Sequence, residues 1–267
     1  VRRARSASGF GALLLAALGL GACVHTRPNY NSIAPRPQPA NTDTASAAAS
    51  YNVQLGVAYI SQGDLAIAQD KLARALRENP RDPNVHAALG LLEERLGNPA
   101  KADGHYREAV RLAPQDPSIE NNYAVFLCSQ GRTDEGVKRF EAAAHNALYL
   151  TPEAAFTNAA VCLRKAKRYP EAEHNLLEAL ARKAGYQEAL LQLGELYLDT
   201  QRLAEAKQHI ERYLDNFPES AQILWLGVRV AEADGDRLTA EKYSRKLRMD
   251  FPNSEETRRL GASSRGG

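Results

Sequence analysis

Between residues 49 and 254 apolar side chains recur every three to four positions, as at Val53, Val57 and Ile60, and short clusters of Gly, Pro and Asp interrupt the runs. That spacing predicts amphipathic helices, and no stretch shows the period of two that a half-buried strand needs. The predicted helices are short and come in pairs. "QLGVAY" (54–59) returns as "QLGELY" (192–197), and the segments between them fall into register every 34 residues. Self-similarity at such a period predicts a stack of like supersecondary units.

Six units follow: 49–82, 83–116, 117–150, 153–186, 187–220 and 221–254, with Thr151-Pro152 inserted between the third and fourth. Positions 7 and 8 carry Leu55-Gly56, Leu89-Gly90, Tyr123-Ala124, Ala159-Ala160 and Leu193-Gly194, and the sixth unit has Gly227. Position 20 carries Ala68, Ala102, Gly136, Ala172, Ala206 and Ala240. Small residues at these places let the first helix of a unit (helix A) approach the second (helix B). Pro80, Pro114, Pro218 and Pro252 at position 32 close helix B, because the residue before a proline disfavours the helical region. Gly63, Gly97, Gly131 and Gly235 at position 15 mark the turn from A to B, where a left-handed residue is needed. The pattern resembles the tetratricopeptide repeat across 49–254. It implies an all-α solenoid of six helix-turn-helix units, about 12 helices, wound into a curved superhelix in which each hairpin buries its apolar face against its neighbours.

A repeated shape does not specify chemistry, so function has to be read from the surface. In this repeat class positions 2, 5, 9 and 12 of helix A line the inner face. In unit one these are Ser50, Val53, Val57 and Ile60, and unit two contributes Leu91. An exposed apolar stripe marks a binding surface, so Val53, Val57, Ile60 and Leu91 are the expected partner-binding groove. The alternative is that the tether that precedes the units, or helix packing at the end of the solenoid, covers them. Trp225, on the same face of the last unit, is either a second anchor or terminal packing.

The first 48 residues read differently. Arg2, Arg3 and Arg5 precede an uncharged apolar run from Phe10 to Leu20, too short to span a bilayer and suited to a signal-peptide core. The run ends in Leu20-Gly21-Ala22-Cys23, which resembles the bacterial lipobox. That resemblance implies cleavage after residue 22 and acylation of Cys23, where several acyl chains anchor stably and one alone does not. Val24 follows, not Asp, which by the same resemblance points to the outer membrane. Residues 23–48 are rich in Pro, Ala, Ser, Thr and Asn and are expected to form a disordered tether, with an r.m.s. span of about 25–30 Å. Residues 255–267 are expected to form a short polar tail.

Losing residues 1–22 removes three arginines and no acid, which takes the formal charge from +2 to −1. A near-neutral chain offers no electrostatic footprint for nucleic acid. Past the tether the histidines, His86, His105, His145, His174 and His209, fall at scattered repeat positions with no HExxH or CxxC spacing. There is no phosphate loop and no GxSxG elbow. No enzyme activity, metal, cofactor or small-molecule substrate is expected.

An odd cysteine count in an exported chain needs an explanation. Lipidation accounts for Cys23. Cys128 and Cys162 sit at positions 12 and 10 of neighbouring A helices, close enough to bridge in an oxidising compartment, and the alternative is two buried thiols. The combination of lipobox, tether, six units and a cysteine pair in "NNYAVFLCSQGR" (121–132) and "NAAVCLRKAKRYPEAE" (158–173) resembles the type IV pilus biogenesis and stability lipoproteins, the PilF/PilW-type pilotins. The resemblance implies an outer-membrane lipoprotein facing the periplasm. Such a protein binds secretin subunits, with contact linked to the N-terminal repeats, and promotes their localisation and multimerisation. A periplasmic adaptor for cell-wall hydrolases or outer-membrane protein assembly is the alternative.

Overall fold

The computed structural model describes residues 44–263, and every regular element among them is helical. The expected signal peptide, Cys23 and most of the expected tether lie outside the described residues. Six hairpins follow one another: α1 (Thr44–Gln62) with α2 (Leu65–Glu78), α3 (Pro83–Arg95) with α4 (Pro99–Leu112), and α5 (Pro117–Ser129) with α6 (Thr133–Ala144). The second half pairs α7 (Pro152–Lys165) with α8 (Tyr169–Arg182), α9 (Gln187–Asp199) with α10 (Leu203–Asn216), and α11 (Ala221–Ala233) with α12 (Arg237–Asp250). A thirteenth helix, α13 (Glu255–Ser263), closes the array.

Two boundaries differ from the sequence reading. The first helix starts at Thr44 and absorbs the last residues assigned to the tether, because "TASAAAS" is alanine-rich and alanine has the highest helix propensity. The expected polar tail is α13, which packs on α11 and α12 through buried Leu260. Thr257 holds its start, donating Oγ1–H towards the carbonyls of Phe251 at 2.8 Å and Leu247 at 3.1 Å.

Each unit is set by local chemistry. Asp82 and Asp116 cap α3 and α5 by accepting from the amides of Asn84 and Ser118, both at 2.8 Å, with proline next in the chain. Such caps stabilise by about 1 kcal/mol each. Every A helix ends in the same way. Position 15 has positive φ in all six units: Gly63, Gly97, Gly131 and Gly235, and also Lys167 (φ 59°) and Gln201 (φ 58°). The residue after it donates back to a carbonyl five residues earlier, as Asn98 N does to Glu93 O at 2.8 Å and Arg202 N to Tyr197 O at 2.8 Å.

The core is a chain of local clusters, as expected for a solenoid in which each hairpin touches only its neighbours. Each B helix packs on the next A helix, and each A helix on the next A helix, α1 on α3 through to α9 on α11. The glycine at position 8 of units one and two makes room for the B helix. A Cβ on Gly56 would come within 2.6 Å of the Leu72 side chain, and one on Gly90 within 3.0 Å of the Tyr106 ring. Outside the core, the arginine at position 16 ties successive B helices together. Arg132 pairs with Glu135 on its own helix and with Asp103 on the helix before, Arg168 with Glu171 and Asp134, and Arg202 with Glu205 and Glu173. Each such pair is partly exposed and individually weak, but the repetition links the B helices of units two to five.

Candidate functional site

The apolar stripe expected to receive a partner is core. Val53 is 0 % exposed, Ile60 2 % and Leu91 2 %, and they pack in one cluster with Leu72 of α2 and Val85, Ala88 and Leu92 of α3. Val57 is half-buried against the same cluster. The reason is the side-by-side packing of α1 and α3: it covers the helix-A positions that would otherwise be open, which corrects the groove assignment. Trp225 is half-buried against the C-terminal cluster and packs there with Tyr243 and Phe251.

Further along, the same positions of the A helices carry charge. Arg164 on α7 reaches Glu195 at 3.4 Å and Asp199 at 3.2 Å on α9, and Arg229 on α11 meets both oxygens of Glu195, at 2.8 and 2.9 Å. The Arg164 and Glu195 side chains are largely buried, so this relay is less screened than a surface pair. Burial raises the pKa of the Asp199 carboxyl, and the Arg164 guanidinium pulls it the other way. The charges of units four to six thus satisfy one another. At the edge of this face, a cleft of about 410 Å³ is lined by Lys183, Tyr186, Glu188, Leu191, Tyr213 and Ser220. Burial, with Glu188 adding to it, pushes the Tyr186 phenol up to about 12.

Exposed apolar side chains lie elsewhere. On α1, at the N-terminal end of the described residues, Tyr51 is 62 % exposed, on the face that also shows Gln54 and Ala58. In the loop that carries the insertion, Leu148 and Leu150 are 66 % and 81 % exposed and flank buried Tyr149. The sequence signalled the insertion at 151–152, but leucines in a loop carry no helical period, so their exposure was not legible.

Cys128 on α5 and Cys162 on α7 are joined by a disulfide with 5.7 Å between their Cα atoms. It ties the C-terminal ends of the A helices of units three and four. Gly136 makes the bridge possible: a Cβ there would stand 2.5 Å from Cys128 Sγ and 3.0 Å from the Ala124 carbonyl oxygen. The other five units carry alanine at this position.

Among the described residues no cluster of three His, Cys, Asp or Glu is placed to hold a metal ion, and no helix is long and apolar enough to cross a membrane. Comparison with known proteins fits the repeat architecture. The type IV pilus assembly protein PilF of Pseudomonas aeruginosa is 28% identical over 245 residues, 91% of this chain and 94% of its own. A solved structure of Pseudomonas aeruginosa PilF superposes with a TM-score of 0.64 at 26% identity, over 83% of this chain and 100% of that one. The crystal structure of PilW, described as a widely conserved type IV pilus biogenesis factor, superposes with a TM-score of 0.68 at 27% identity, over 79% of this chain and 97% of its own. Tetratricopeptide-repeat family profiles match residues 53–117, 127–188 and 163–225, together more than half of the chain. With that coverage, and with near end-to-end homology to PilF, the chain belongs to the tetratricopeptide-repeat family.

Proposed function

We propose that this protein is a non-catalytic scaffold of type IV pilus biogenesis: a pilotin, anchored in the outer membrane through acylated Cys23 and facing the periplasm. It binds secretin subunits and promotes their insertion and multimerisation. The observation that carries the reading is the homology to PilF along 91% of this chain and 94% of the relative, which leaves almost none of either protein unmatched. The lipobox at Leu20–Cys23 supports the membrane address. The work is mechanical. Acyl chains hold the protein at the membrane, the linker supplies reach, and the repeats hold the client while its membrane segments would otherwise aggregate.

The client surface is not the Val53–Ile60 stripe. Helix α1 offers an exposed aromatic instead, Tyr51, of the kind that anchors protein interfaces. The test is deletion of the gene in its own bacterium, followed by quantification of detergent-resistant secretin multimers in the outer membrane. Loss of multimers, restored by the wild-type gene and not by a Cys23→Ala variant, is the expected result. Unchanged multimers in the deletion strain refute the reading. Recovery of cell-wall hydrolases or barrel-assembly proteins with the purified protein, in place of secretin, moves it to the adaptor alternative.

A further inference from the structure

The histidines that looked scattered along the sequence are not all scattered in space. His86 on α3 and His105 on α4 face each other across the hairpin of unit two, with Nδ1 3.3 Å from Nδ1 and ring centroids 5.6 Å apart. Both rings are partly open to solvent. As a hydrogen bond this contact is long, since N–H donors prefer about 2.9–3.0 Å. A tetrahedral cation with bonds of about 2.0–2.1 Å, by contrast, sets two imidazole nitrogens about 3.3–3.4 Å apart.

The surroundings of His86 favour a free lone pair facing His105. His86 Nε2 lies 3.0 Å from the carbonyl oxygen of Pro80. A proton on Nε2 satisfies that carbonyl and leaves Nδ1 bare, which is the outer-shell arrangement that orients metal-bound histidines.

We propose that His86 and His105 form a two-imidazole site for one zinc-class divalent cation, stapling α3 to α4, with water completing the coordination. The donor set is nitrogen only, so the site takes borderline cations such as Zn²⁺ and rejects Mg²⁺ and Ca²⁺, which require oxygen. The proposal is independent of the pilus reading.

The test is calorimetric titration of the purified protein with zinc at pH 7.5, beside His86→Gln and His105→Gln variants whose helicity is checked by circular dichroism. NMR signals of the imidazole C–H protons follow the same titration. The expected result is one saturable equivalent in the wild type, at least tenfold weaker in either variant, with the His86 and His105 signals moving first and magnesium producing none of this. Binding weakens at pH 6, where protons compete for the same nitrogens. No saturable zinc binding up to about 1 mM, where stabilisation by mass action would already show, overturns the site. So does wild-type affinity in both variants, or zinc shifts confined to other histidines.

Discussion

Gly136→Ala restores the residue that the other five units carry at position 20, yet it should destabilise this protein. The new methyl would sit 2.5 Å from Cys128 Sγ, 3.0 Å from the Ala124 carbonyl oxygen and 3.4 Å from the Cys128 amide nitrogen. A flexible side chain could swing clear, but this sulfur is tied to Cys162 and the oxygen is helix backbone. Forced overpacking costs about 1–3 kcal/mol, and the upper part of that range applies where the neighbours cannot give. Replacing glycine with alanine inside a helix returns about 0.8–1 kcal/mol. The net loss is then about 1–2 kcal/mol, which for a chain of this size lowers Tm by about 2–8 °C. In a Cys128→Ala/Cys162→Ala background the sulfur is gone and only the 3.0 Å contact with the Ala124 carbonyl remains, so the same substitution should cost clearly less. The assay is a double-mutant cycle by thermal melting without reductant, where groups in direct contact couple by about 0.5–3 kcal/mol. An equal Tm change in both backgrounds, or a gain in the bridged protein, refutes the claim that the disulfide occupies the methyl's place.

Lys167→Gly and Gln201→Gly should each stabilise the protein by about 0.5–1 kcal/mol, because relief of a left-handed L-residue, about 1–2 kcal/mol, outweighs the extra unfolded-state entropy of glycine. Urea midpoints that fall in both variants would contradict this. Leu260→Ala removes the buried contact by which α13 caps the array and should cost about 2–5 kcal/mol, read as earlier melting with loss of amide-exchange protection in α11 and α12. Protection lost only within α13 itself would show that the cap is dispensable. His209 has a pKa lowered chiefly by burial, with its Nε2 2.8 Å from the Leu190 carbonyl. The folded state therefore binds fewer protons than the unfolded one, so stability is full above about pH 6.5 and falls as pH drops below it. His209→Gln should flatten that acid loss in urea midpoints taken between about pH 7.5 and 5.5, and an unchanged slope would refute the assignment. Tyr51→Ala should leave stability within about 0.5 kcal/mol of wild type, as for other exposed sites, while weakening secretin recovery in a pull-down. Undiminished recovery places the contact elsewhere.

Much of this molecule is local and was readable as text. Prolines that stop B helices, glycines in the A–B turns and small residues where helices cross all act within one hairpin, and a 34-residue period is enough to expose them. The position-15 rule even extends past its glycines, since Lys167 and Gln201 take the same left-handed turn. The cysteine pair was legible for the same reason: positions 12 and 10 of neighbouring A helices are brought side by side by the repeat itself.

Contacts set by the stacking of neighbours were not readable. Helical periodicity says that Val53, Val57 and Ile60 share one face of α1, but only the packing of α2 and α3 against it decides that this face is covered. Gly136 looks like an ordinary small residue until the disulfide is seen in the space its methyl would need. His86 and His105 lie 19 residues apart at unrelated repeat positions, and the closing of their hairpin brings them together. The sequence alone determined the fold class and the 34-residue repeat, because both depend on residues close along the chain. The tertiary structure decided which faces stay open, which side chains meet and how the array is capped, because those depend on how far each hairpin turns against the next.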